Sequence, residues 1–186
     1  MPTREMSRNM ANGDPARQAE IFERLVRRLK AAGAAAAAIT SMGGHFCVRE
    51  LEAISPLPIL DAIPGIDAAL GRLGVKRLGI LGTRTVMESR LYGGVRAAEI
   101  VAPAGEAMEE VHSAYVEMAN AGRVTERQRH IFFRAGHELR RQHDVEAILL
   151  GGTDLFLAFA GETPGFRVID CAELHVDAIF ARSTAA

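Results

Sequence analysis

The chain has 186 residues and a formal net charge of −1, enough length to bury a substantial core and no global field favouring nucleic acid or an anionic membrane surface. Its hydrophobic share of 48% against 24% charged is ordinary for a globular protein, so disordered and fibrous classes are excluded. The apolar stretch from Ala34 to Ile39, even extended on both sides, falls far short of the ~20 residues a membrane span needs.

Residues 1–13 read as a loose polar leader, without the apolar core of a secretory signal. Asp14-Pro15 then supplies a cap and a first-turn proline, and Ile21, Phe22, Leu25, Val26 and Leu29 recur at helical spacing up to Gly33. Ala34 to Thr40 follows as a strand. A short helix is expected over 45–53, ended by Pro56 and Pro58, and a short strand over 59–61. Residues 66–73 form a helix stopped at Gly74, and Arg77 to Leu81 a clean strand. Thr85-Val86-Met87-Glu88 fits a capping box that starts the next helix, with a strand over 98–101 after it.

Two long helices are expected over 105–120 and 125–142, the second opened by a Thr125/Gln128 capping box. The strand 145–150, a short helix over 155–158, the strand 168–169 and a last helix over 173–182 complete the order. Strands alternate with helices throughout, which predicts an α/β fold with parallel sheets. Two places repeat one pattern. The apolar stretch to Ile39 runs into Thr40-Ser41-Met42-Gly43-Gly44-His45, and Ile148-Leu149-Leu150 runs into Gly151-Gly152-Thr153-Asp154. Small and polar residues at the carboxyl ends of parallel strands are where such sheets place their chemistry.

These segments carry a resemblance. Gly33 to His45, Leu81-Gly82-Thr83-Arg84-Thr85, Gly151 to Asp154, and the closing strand with Asp170 and a helix bearing His175 follow the motif order of the aspartate/glutamate racemase family. Leu81 to Tyr92, with Met87 and Glu88, resembles its broad-specificity amino-acid racemase branch. The resemblance implies a pseudo-symmetric two-domain racemase-like fold, with an incomplete first domain over 14–75, a second over 76–165, and a strand and helix over 166–186 returning to the first. It also implies cofactor-independent transfer of the Cα proton of a small amino acid or carboxylate, with one group on each face of the carbon. No cofactor and no metal is expected.

On this resemblance the first catalytic position is Ser41 and the second is Gly152. The implication is that both usual cysteines are replaced and that the opening βα unit is missing. The catalytic candidates are Ser41, His45 and Cys171, the last because it ends a strand that can face a cleft, with His175 about a turn beyond. Thr83, Thr85, Thr153 and Asp154 are the substrate-binding candidates, since hydroxyls and free N–H groups at strand ends hold carboxylates. The structural alternatives are helix capping by Thr85, Thr153 or Asp154, a hydrogen-bonded core role for His45, and burial for Cys47. Two cysteines give no disulfide framework and point to a cytoplasmic setting. The expected partners are the small ligand and a homodimer mate or other chain covering the incomplete domain, with no nucleic acid and no membrane. The competing function is a relative without catalysis, serving as a ligand-binding or protein-interaction module.

Overall fold

The computed structural model describes residues 3–184. Backbone contacts divide the chain into two compact units, one up to Ala62 and one from Ile63 onward.

The first unit opens with α1 (Thr3–Ala11) and α2 (Pro15–Ala31). The expected loose leader is therefore a helix over its described part. The reason is polar: Asn9 Nδ2 donates to Gln18 Oε1 at 2.9 Å, both side chains being buried, so α1 is tied to α2 by a contact that hydropathy does not reveal. Asp14 caps α2 by accepting from the Arg17 N–H at 3.0 Å. β1 is only Ala37–Ala38, paired in parallel with β2 (Ile59–Leu60). The alanines flanking β1 are poor strand formers, and they leave the ladder short. Between the strands lie a 3-10 turn over Met42–Cys47 and α3 (Val48–Ile54). Ala19, Ile39, Cys47, Val48 and Leu51 form the core here, with Phe22 and Phe46 packed on it.

The second unit is built on β3 (Arg77–Leu81), β4 (Glu99–Val101), β5 (Ala147–Leu150) and β6 (Val168–Asp170), all parallel in the order β4-β3-β5-β6. Its helices are α4 (Ala62–Leu73), α5 (Arg84–Glu88), α6 (Gly105–Ala121), α7 (Glu126–His143), α8 (Phe156–Phe159) and α9 (Cys171–Thr184). Leu78, Ile80 and Leu81 on β3 and Ala147, Ile148 and Leu149 on β5 are fully buried, as strands covered on both faces must be. The Thr125/Gln128 capping box forms. Thr83, not Thr85, caps α5, because that helix begins two residues earlier than the capping-box spacing suggests. Of the segment expected over 166–186, the described residues, 166–184, lie with the second unit, where β6 hydrogen-bonds to β5.

Where β5 ends, Gly151 is enclosed: a Cβ there would lie 2.8 Å from Val86 Cγ1 and 3.1 Å from Ile80 Cγ1, both belonging to stiff β-branched, fully buried side chains. Gly151→Ala is expected to destabilise the fold by about 1–3 kcal/mol, the cost of overpacking, read from the urea midpoint.

Candidate functional site

In the first unit the chain leaves β1 and reaches Ser41 at the head of the 3-10 turn, with extended backbone and no side-chain capping bond. Its carbonyl accepts from the Gly44 N–H at 2.9 Å and from His45 Nδ1 at 3.0 Å. Nε2 of His45 accepts from the Ala62 N–H at 3.1 Å, which assigns the ring proton to Nδ1. The imidazole is 2% exposed and thus clasps the Ser41 turn to the end of β2, with Asp61 Oδ1 3.8 Å from Nε2. Gly44 permits the tight return, since a Cβ would stand 2.7 Å from Ile39 Cγ2. Cys47 Sγ donates to the Gly44 carbonyl at 3.4 Å. Burial, helped by the Glu50 charge, pushes this thiol up to about 12.

In the second unit the register sets Leu81, Leu150 and Asp170 in one row. The segments that follow, Gly82-Thr83, Gly151-Gly152-Thr153 and Cys171, therefore leave the sheet along a common edge. The first two abut: the Gly151 N–H donates to the Leu81 carbonyl at 2.7 Å, and a Cβ on Gly82 would meet the Gly151 oxygen at 3.2 Å. Thr83 Oγ1 accepts from the Val86 N–H at 3.4 Å, while Thr85 lies within α5 and its carbonyl accepts from the Ser89 N–H at 3.0 Å. His112 Nδ1 accepts from the Arg84 N–H at 3.1 Å; burial and then the Arg84 charge lower the pKa of this imidazole, which favours the neutral acceptor form.

Asp154 Oδ2 accepts from the Tyr115 hydroxyl at 3.1 Å. On the neighbouring strand Asp170 Oδ1 accepts from the Ala172 N–H at 2.7 Å, and burial raises its carboxyl pKa. Cys171 is fully buried. Burial and then the Asp170 charge push its thiol far up, so it is held protonated. His175 is buried a turn further along α9. Thr153, Phe156, Asp170, Ala172 and Glu173 line an open groove of about 550 Å³ beside this edge.

The structure thus gathers Thr83, Thr153, Asp154 and Cys171 along one sheet edge, and Ser41 with His45 at one turn. Thr85 stands inside a helix. Hydroxyls and strand-end amides so arranged can hold a carboxylate, and the buried thiol can carry a proton. Sequence reasoning passed over Tyr115. With Val111, Ala114 and Met118 it falls on the buried face of α6, where its spacing reads as core.

A family model described as Asp/Glu/hydantoin racemase matches residues 3–179. Among solved structures, a candidate Asp/Glu racemase from Yersinia pestis is 25% identical, with a TM-score of 0.78 over 97% of this chain and 81% of its own. An aspartate racemase homologue from Pyrococcus horikoshii, 24% identical, shares the fold with a TM-score of 0.71 over 89% of this chain and 74% of its own. The aspartate racemase of Picrophilus torridus, 19% identical, does so at 0.68 over 87% and 68%.

Two expectations are corrected here. The match begins at residue 3, which places α1 and α2 inside the family's span and overturns the first domain's missing opening unit. The matched residues also include two buried cysteines, Cys47 in the first unit and Cys171 in the second, which overturns the loss of both family thiols. Alignment on strand-end motifs sought thiols only at 41 and 152. It passed over those carried at the end of the 3-10 turn and at the head of α9.

The clasp has a measurable consequence. His45→Ala leaves the buried Ala62 N–H without its acceptor, so a loss of about 1–3 kcal/mol in chemical denaturation is expected, plus loss of packing.

Proposed function

Because the chain belongs to the Asp/Glu/hydantoin racemase family, we propose that it catalyses cofactor-independent proton transfer at the Cα of a small amino acid or related carboxylate. The observation that carries this is the common edge of the second sheet, where the shared register brings hydroxyl, amide, carboxylate and thiol groups together at the carboxyl ends of parallel strands.

The Cα proton of an amino acid becomes removable when the negative charge that builds on the carboxylate is held by fixed donors. Thr83 and Thr153 supply hydroxyls for that purpose, with the neighbouring strand-end N–H groups; Thr85, inside α5, does not share that edge. Asp154 contributes the anionic contact. Cys171 is the proton-transfer candidate at this edge, its protonated thiol suited to returning a proton. In the first unit Ser41 and His45 are the candidates, and His45 fixes the Ser41 backbone. The Cα proton is removed, leaving a planar carbanion, and a proton is returned to the opposite face. Configuration inverts and no atom is gained or lost.

Purified protein incubated with a panel of L-amino acids in deuterated water should incorporate deuterium at Cα and form the D-enantiomer, followed by NMR and chiral chromatography. Ser41→Ala and Cys171→Ala should each lower the rate by at least about tenfold, the lower end of a general acid–base contribution being nearer a hundredfold. Absence of exchange with every substrate, despite measurable binding, overturns the proposal in favour of a ligand-binding module.

The thiols add a pH signature. Both have folded pKa values above the ordinary 9.0, so the folded state holds these protons more tightly than the unfolded chain does. The resulting stabilisation is complete below about pH 9 and is lost as pH rises toward about 12, the folded value for Cys47. The denaturation midpoint should therefore fall above pH 9, and the double variant Cys47→Ala/Cys171→Ala should flatten that fall.

A further inference from the structure

Tyr115 reaches from α6 to the end of β5 and occupies space that a side chain at position 152 would need. A Cβ on Gly152 would lie 2.5 Å from Tyr115 Cε2 and 2.7 Å from both Cζ and the hydroxyl oxygen. The backbone at Gly152 is extended, at φ −148° and ψ 132°, so any residue could adopt it. Conformation does not require glycine there. The phenol does.

The hydroxyl is the hub of the turn. It donates to Asp154 Oδ2 at 3.1 Å, and the Asp154 backbone and the Thr153 side chain stand beside it. The Tyr115 residue is 8% exposed, and burial with the adjacent Asp154 charge pushes its pKa well above the usual phenol range. It is a fixed neutral donor, in contact with two of the residues assigned to substrate binding. Asp154 is less enclosed, at intermediate burial. A carboxylate offers about four acceptor positions over its two oxygens. The phenol takes one of them, and the capacity that remains suits a cation.

We propose that Tyr115 is a positioning residue that holds Asp154 in place to recognise the ammonium group of an α-amino acid, so that this turn selects amino acids over the 2-hydroxy acids in which a neutral hydroxyl replaces that ammonium. The assignment rests on the proposed substrate class and names the contact that selects it. A neutral phenol suits the task, because it orients the carboxylate without cancelling the charge that attracts the ammonium.

The test compares binding of an amino acid that the wild type binds, chosen by calorimetry across the same panel, with binding of its 2-hydroxy analogue, in wild type, Tyr115→Phe, Gly152→Ala and Asp154→Asn. Tyr115→Phe keeps the ring against Gly152 and removes only the hydroxyl. It should lower the preference for the amino acid by roughly tenfold, the size of one hydrogen bond to a charged group. Gly152→Ala keeps both polar groups but displaces the ring, and should produce a similar loss. Asp154→Asn should reduce the preference at least as far.

Thermal melts and far-UV dichroism confirm that each variant is folded, and a purely structural role for Tyr115 would shift the melt while leaving the ligand preference intact. An unchanged preference in folded Tyr115→Phe overturns the inference while leaving the proton-transfer proposal standing. Selective binding without Cα exchange in the wild type, lost in Tyr115→Phe, overturns proton transfer and supports the positioning role. If the wild type binds no member of the amino-acid panel, both fail.

Discussion

The pairing of β3 with β5 is the constraint on which the second unit's candidate site depends. Their parallel register sets Leu81 opposite Leu150, so the glycines that follow meet and the two strand-end turns begin at the same height. β6 extends the row with Asp170 and delivers Cys171 beside it. A register shift by one residue would exchange the faces of the central strands, burying side chains meant for one layer in the other. Gly79 opposes that shift: it lies opposite Ile148, and a Cβ in its place would stand 2.6 Å from Ile148 Cδ1 and 2.9 Å from Leu139 Cδ1. Packing of apolar side chains thus fixes where the polar ones emerge. The glycines at 82 and 151 are the places where that packing reaches the edge of the sheet.

The first unit solves the same problem with polar contacts. β1 and β2 contribute only two residues each, too few for a ladder to hold a turn in place. His45 supplies the missing constraint by accepting from one backbone N–H and donating to one backbone carbonyl, across the turn from Ser41 to Ala62. Engaging both ring nitrogens fixes its tautomer and rotamer together. The ring thereby acts on the site through the Ser41 backbone. Gly44 and Ile39 close the turn from below, where the core of this unit begins.

Much of this was legible in the sequence, for identifiable reasons. β3 and the two long helices α6 and α7 stand out because a buried parallel strand is uniformly apolar and because Thr125 and Gln128 form a capping box that also forms in the structure. The two strand-end turns were found for a similar reason: apolar runs end in glycine and hydroxyl residues. Three features were not legible. α1 is held by the buried Asn9–Gln18 pair, a polar contact between helices that hydropathy counts as surface. Thr85 has Glu88 at capping-box spacing and Thr83 has Val86 there, yet the backbone starts the helix at Arg84 and makes Thr83 the cap. Tyr115 looks like core by spacing. Its partner, Gly152, carries no side chain to announce the contact.

The titrating groups of the second unit share one tendency. Burial raises the pKa of Asp170, Cys171 and Tyr115, and lowers that of His112, each shift favouring the neutral form. This has a direct bearing on Cα chemistry. Charges interact more strongly where the surroundings are weakly polarisable and carry few other charges to compete with them. An amino acid brings both an ammonium and a carboxylate, and the neutral phenol, thiol and imidazole leave Asp154 and the fixed N–H and hydroxyl dipoles to meet them. The protonated phenol gives its one hydrogen to Asp154, and neither it nor the protonated thiol adds an anion that would repel a carboxylate. The burial that makes the Cys171 thiol a poor base also keeps it protonated, a state suited to giving a proton rather than taking one.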